Sequence, residues 1–219
     1  MSPRRRPAPG PTLATSIADD LRTRILSGDL EPGIALREEQ IAASTGASRH
    51  TVRAALATLN AENLVESVPY RGSRVARLDD DAARALAEFR GALEAEAVRL
   101  LGSRDESSWT DALEPARAAV ERVRSATTWA EAEAAHADVH LALVAAAGSP
   151  RITAAYAGLG AEMRLLLLHI RPHYDAESLA DEHAAYLDDV VTRGTDAVHA
   201  HLARSTALVT RPREVNPPR

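Results

Sequence analysis

The chain of 219 residues is 45% hydrophobic, 26% charged and only 3% aromatic, and it contains no cysteine. That composition is globular rather than disordered, the length suits one large domain or two small ones, and disulfides and thiolate metal sites are excluded. The net charge of −5 hides an asymmetry: residues 1–78 hold eleven arginines against eight acids, and the remainder fifteen against twenty-three, which suits a small basic reader joined to an acidic body.

The first stretch, residues 1–12, is rich in proline and arginine and reads as a disordered basic arm. It has no apolar segment after its arginines, so it is not a secretory signal. No later run approaches the ~18–20 apolar residues of a membrane span. A cytoplasmic protein that does not touch a membrane is expected. Thr15 or Ser16 can cap a first helix in which Ile17, Leu21 and Ile25 recur at i, i+4, i+8 on one stripe. Gly28 ends it, and Asp29–Gly33 forms a turn.

A second helix runs from about Arg37 to Thr45, followed by the short glycine-containing turn Thr45-Gly46-Ala47-Ser48 expected of a helix-turn-helix. Ser48 then caps a helix whose inner face is Val52, Ala55, Leu56 and Leu59. Arg49 and Arg53, at i, i+4, share a flank outside that stripe. His50 points further outward and Thr51 takes the opposite flank. A groove-reading helix presents its N-terminal residues to bases in this way. Leu64–Val68 and Ser73–Arg77 are β-prone runs joined by Pro69-Tyr70-Arg71-Gly72, a two-stranded ribbon placed as a wing. Arg71 and Arg74 suit phosphate contact, and Gly72 lets the backbone approach a duplex.

The runs LREEQIA, TGASRHTVRAAL and LVESVPYRGSRV resemble the winged helix of the GntR family of bacterial transcription regulators. The resemblance extends to its subgroup with an all-helical C-terminal effector domain, called FCD. It implies a mostly α fold: a winged helix-turn-helix over 13–78 that binds double-stranded operator DNA, then an antiparallel helical bundle over 79–211 for effector binding and dimerisation, and a loose tail over 212–219. Carried onto this chain, it implies operator contacts from Arg37, Ser48, Arg49, Thr51, Arg53 and Gly72. His50 stands where the family usually has Thr or Ser, and Ala54 where Glu is usual, so the operator preference should differ from that of relatives.

From Asp79 onward the text is helical: 80–102, 106–125, 129–147, 150–171, 176–193 and 195–210, joined by loops short enough to make neighbours antiparallel. Seven of the eight histidines lie here. His136 and His140, at i, i+4, share a helix face, a spacing that can hold one metal ion. The FCD class often binds a metal through an Asp-x-x-x-His pair, a His in a Glu-His step and a His near the start of the last helix. AHADVHLALVAAAGSP, DEHAAYLDDV and AVHAHLAR match those segments, implying His140, His183 and His201, with His136 at the Asp position and His199 as the alternative to His201. An all-imidazole set suits Zn or Ni. Arg164 is the candidate for an effector carboxylate. His169 and His173 flank Pro172, which disturbs their helix.

The expected protein is therefore a homodimeric, effector-responsive regulator, a repressor by first choice, binding a pseudo-palindromic site. A small organic acid on a metal or on arginine would shift its DNA affinity. A metal-free sensor is the alternative. A metal-dependent hydrolase with Glu182 as base is weaker, because the chain lacks a His-Glu-x-x-His run and an enzyme needs no winged helix.

Overall fold

The computed structural model describes residues 12–68, 72–103 and 107–210. Residues 1–11 of the arm, the turn residue Arg71 and the tail from 212 lie outside the described residues. Contacts divide the chain into two compact units, Met1–Ala76 and Arg77–Arg219.

In the first unit, α1 (Leu13–Ser27) buries Ile17, Leu21 and Ile25, the stripe its periodicity gives. Its cap is Thr12, whose side chain accepts from the Thr15 amide at 3.2 Å, and not Thr15 or Ser16. The helix starts one turn earlier because Thr12 also receives the Ser16 amide on its carbonyl. α2 (Glu38–Thr45) ends at Gly46 with φ +67°, a left-handed position that glycine takes at little cost. α3 (Arg49–Ala61) is capped by Ser48 and buries Val52, Ala55, Leu56 and Leu59. It packs on α1, and Arg22 of α1 grips Glu62 through two bonds of 2.7 and 2.6 Å.

The wing has three strands, not two. β1 (Ala35–Leu36), β2 (Val65–Val68) and β3 (Gly72–Val75) stand in the order β1-β3-β2, both pairings antiparallel. A two-residue strand carries no alternation to read. It exists because β3 offers its free edge: Val75 donates to the Ile34 carbonyl and accepts from Gly33, both at 2.9 Å.

The second unit holds α4 (Asp80–Gly102), α5 (Ser107–Arg124), α6 (Trp129–Ala146), α7 (Pro150–Ala157), α8 (Gly160–Ile170), α9 (Ala176–Arg193) and α10 (Thr195–Thr210). Thr128 caps α6 in a capping box with Glu131. The expected helix over 150–171 is two helices and a 3-10 turn, Arg171–His173. Glycines 158 and 160 flank the break, each costing a helix interior about 1 kcal/mol relative to alanine. The bend also lets Tyr156, Leu159 and Met163 all enter the same core cluster. The apolar period persists on both sides, so pattern alone ran through it. The main core joins α4, α5, α6, α8, α9 and α10 through aliphatic side chains and Tyr186, as the low aromatic content requires. Among the described residues no helix is long and apolar enough to cross a membrane.

Candidate functional site

The first unit presents an arginine-bearing helix end. Ser48 Oγ accepts from the Thr51 amide at 3.1 Å and meets Thr51 Oγ1 at 2.8 Å, so both side chains stiffen the first turn of α3. Arg49, His50 and Arg53 are exposed there, as is Arg37 before α2. Arg49 reaches Glu39 at 2.7 Å and Arg53 reaches Glu38 at 2.8 Å. Exposed pairs of this kind are weak and screened by salt, so a phosphate or a guanine edge can displace the carboxylates. The two bonds also hold both guanidiniums extended beside α2. On the wing, Gly72 has φ +82°, and a Cβ added there would meet nothing within 4 Å; backbone conformation, not crowding, calls for glycine. Arg74 pairs with Glu66 at 2.6 Å across the ladder.

The second unit contains a buried polar cluster. His136 and His140 on α6, His183 on α9 and His201 on α10 are all at most 4% exposed. The structure thus buries His201 and leaves His199 exposed. The ligating atoms of His136, His140 and His183 lie within 4.8 Å of one another. His201 lies beside that triad: its ring stacks on Tyr186 at 4.2 Å, its centroid is 5.0 Å from that of His183 and 5.2 Å from that of His140, and its Nδ1 is buried without a hydrogen-bond partner. All four histidines expected from the sequence are thus buried in one cluster, with His136, His140 and His183 converging most closely.

Two hydrogen bonds fix what this triad can do. His183 Nδ1 lies 2.8 Å from the Leu179 carbonyl, which can only accept, so Nδ1 carries the proton. His140 Nδ1 lies 3.1 Å from Glu94. Glu94 is surrounded by donors, Arg90 at 3.1 Å, Tyr186 at 3.0 Å and the Tyr156 hydroxyl, so it acts as acceptor and His140 Nδ1 donates as well. Both Nε2 atoms then carry lone pairs, yet they face each other at 3.2 Å. The Arg90 guanidinium lies 3.4 Å from His140 Nε2, and a cation held between the two Nε2 atoms would further relieve their repulsion. A proton is disfavoured, because burial holds both imidazoles below their ordinary value, His140 well below, with Arg90 adding to the effect. Two zinc–nitrogen bonds at a tetrahedral angle would span about 3.3 Å. His136 Nδ1 is buried without a hydrogen-bond partner, so a third lone pair is also available. The donor set fits a divalent transition metal, with Glu94 orienting His140 as carboxylates orient metal-binding imidazoles.

Arg90, Glu94, Tyr156 and Tyr186 were not singled out from the sequence. A signal existed: Arg90 and Glu94 fall on the stripe Ala83, Leu86, Ala97, Leu101 that α4 buries, two charges on an apolar face. Burial alone would lower the Arg90 pKa, but Tyr156 and Glu94 reverse that and keep it charged. Burial likewise raises both phenols. His136 and His201 are held well below the ordinary imidazole value by burial, then by His183.

One turn before His136 on α6, Glu133 is 1% exposed and accepts from Trp129 Nε1 at 3.1 Å. Burial pushes its carboxyl up to about 7 despite Arg164. The Arg164 guanidinium stops 3.9 Å short of it and keeps a buried Nε with no hydrogen-bond partner. Asp138 points away and pairs with Arg122 at 2.7 Å. His169 bonds its own helix through the Leu165 carbonyl, and His173 is exposed. Glu182, the candidate base, lies 3.6 Å from His201 and 3.8 Å from Arg204.

Two family models match the chain: bacterial regulatory proteins of the gntR family over residues 13–75 and the FCD domain over residues 85–207. An uncharacterised HTH-type transcriptional regulator, BphR of Paraburkholderia xenovorans, is 30% identical over 206 residues, covering 86% of this chain and 82% of its own. A protein of Paenarthrobacter nicotinovorans, described as a probable D-xylose utilization operon transcriptional repressor, is 28% identical over 180 residues, 81% of this chain and 78% of its own. A solved GntR transcriptional regulator from Rhodococcus sp. RHA1 superposes with a TM-score of 0.61 at 26% identity, covering 90% of this chain and 96% of that one.

Proposed function

We infer the working of this chain from the premise that it belongs to the GntR family of bacterial regulatory proteins, with an FCD domain in its second unit. It is a DNA-binding transcription regulator and not an enzyme. In the reading proposed, a dimer engages a pseudo-palindromic operator through Arg37, Ser48, Arg49, His50, Thr51, Arg53, Arg71 and Gly72. The helix end reads bases and the wing positions the backbone. The helical unit binds a small organic acid that alters DNA affinity, and repression is the favoured sense, by analogy with the D-xylose relative.

The observation that carries the sensing half is the 3.2 Å approach of the His140 and His183 Nε2 atoms, with each Nδ1 turned to an acceptor, Glu94 or the Leu179 carbonyl. His136, His140 and His183 would hold a zinc or nickel ion, with His201 beside them. When bound, such an ion supplies a Lewis-acid position for a carboxylate oxygen. The chain's own residues do the rest. Arg164, one-third exposed, offers an unpartnered donor between solvent and the buried groups, and Arg90 supplies fixed positive charge behind His140. The metal-free alternative keeps the arginines and loses the imidazole contribution.

Elemental analysis of purified protein, wild type against His140→Ala with His183→Ala, tests the reading. About one equivalent of metal in the wild type and none in the double variant is expected. Equal metal content in both refutes the ligand assignment, and an operator gel shift unaffected by chelator or by short carboxylic acids refutes the sensing role.

A further inference from the structure

Two acids open α2, Glu38 and Glu39, and each meets one of the arginines on the exposed face at the start of α3. They hold their arginines differently. Glu38 is 30% exposed, and its two oxygens straddle the Arg53 Nε at 2.9 and 2.8 Å. Glu39 is 72% exposed and takes Nη2 of Arg49 at 2.7 Å.

A guanidinium has two edges that can donate a pair of hydrogen bonds. The side edge joins Nε to one terminal nitrogen. The end joins the two terminal nitrogens and forms the fork that spans O6 and N7 of guanine. Glu38 occupies only Nε, and among the described residues neither terminal nitrogen of Arg53 makes a hydrogen bond. The end fork of Arg53 is therefore free while the side chain is held. In Arg49 the occupied atom belongs to the end fork, so that arginine must release Glu39 before it can use both terminal nitrogens.

We propose that Glu38 is a positioning residue for DNA reading: it holds Arg53 by Nε so that the end fork meets a guanine in the major groove. This deepens the reading proposed above and rests on it. A free arginine side chain loses its rotamer freedom when it docks. One already tied to a neighbouring helix has less to lose, and the preorganisation appears as affinity. The tie also selects the partner. The Glu38 carboxylate repels a phosphate brought beside it, whereas a neutral base edge suffers no such repulsion. Glu38 stands in the first turn of α2, where the helix dipole favours its charge. Its partial burial shields the pair from salt more than the Glu39 pair is shielded.

In vitro selection with the full chain tests this, using duplexes randomised over about 20 base pairs, or two helical turns, and sequencing of the bound fraction. α2 buries none of its residues fully, so alanine at 38, a strong helix former, leaves the fold in place; far-UV circular dichroism verifies it. Wild type should enrich a motif, and Arg53→Ala should erase a guanine preference at one position of each half-site. Glu38→Ala should weaken the preference at that same position at least about threefold and leave the others unchanged, a pattern that general damage to the reader would not give. Glu39→Ala should leave every position in place; a position lost there overturns the contrast between the two acids. On the selected duplex, Arg53→Ala should keep the dependence of log affinity on log salt, whereas loss of a phosphate contact lowers that slope by about one. An unchanged motif in Glu38→Ala, or a loss spread over all positions, overturns the positioning role and leaves the helix end as the reader. A lowered salt slope in Arg53→Ala, or an erased preference for a base other than guanine, overturns the guanine assignment. A wild type that enriches no motif overturns the operator reading by this helix end as well.

Discussion

Glu94→Gln probes the centre of the helical unit. Glu94 is fully buried and receives hydrogen bonds from Arg90, Tyr156, Tyr186 and His140. Glutamine keeps the shape but leaves Arg90, 2% exposed, as a buried charge without its counterion. Breaking a buried pair from one side costs about 3–5 kcal/mol, a large share of the ~5–15 kcal/mol that holds a domain together. The four donors must also share one amide oxygen, but those losses belong to the same network and do not add. Urea denaturation at pH 7.5 in the presence of chelator should show a loss of about 3–5 kcal/mol. Removing the arginine charge as well, Arg90→Met with Glu94→Gln, should cost less than the two single changes together by at least ~2 kcal/mol. A single-variant loss below about 1 kcal/mol would refute the claim that Glu94 balances a buried guanidinium. The glutamine can also donate to His140 Nδ1 and turn the ring's proton to Nε2. Zinc affinity should then fall roughly 10- to 100-fold.

Glu133→Gln should change how stability depends on pH. The native carboxyl titrates near 7, above its ordinary value of 4.5, so the unfolded chain releases the proton first. Stability is thus intact below about 4.5 and declines as pH rises through 7, by at most ~3 kcal/mol for a shift of that size. The glutamine variant should gain on wild type between pH 5 and 8 in thermal melts; parallel curves would show that Glu133 is not desolvated. Zinc at a hundredfold excess over its dissociation constant should stabilise wild type by about 2.7 kcal/mol, and the His140→Ala, His183→Ala double variant hardly at all. Arg49→Ala and Arg53→Ala should each weaken operator binding roughly tenfold or more in gel-shift titrations, and wild-type affinity in both would remove the helix end from the reading. Gly72→Ala should destabilise the wing, since φ +82° strains any residue with a Cβ; an unchanged melting temperature would count against that turn geometry.

The sequence alone determined what depends on near neighbours along the chain. The 3.6-residue period placed α1, α3 and the helices of the second unit, because each buries one face whatever it packs against. Ser48 and Gly46 marked the turn between α2 and α3 through local hydrogen bonding and local φ. His136 and His140 were visible as a pair because four residues make one helical turn. Tertiary structure decided what depends on distant partners. β1 exists only because β3 has an edge to fill, and α7 and α8 part at two glycines because Tyr156 and Met163 must face one core. The histidine site gained its defining group, Glu94, from a helix more than forty residues away in sequence. It also gained an aromatic neighbour, since the ring of His201 stacks on Tyr186. Which nitrogen of His140 faces a carboxylate, and which is left for the other imidazoles, depends on that distant residue, and no spacing within α6 could reveal it.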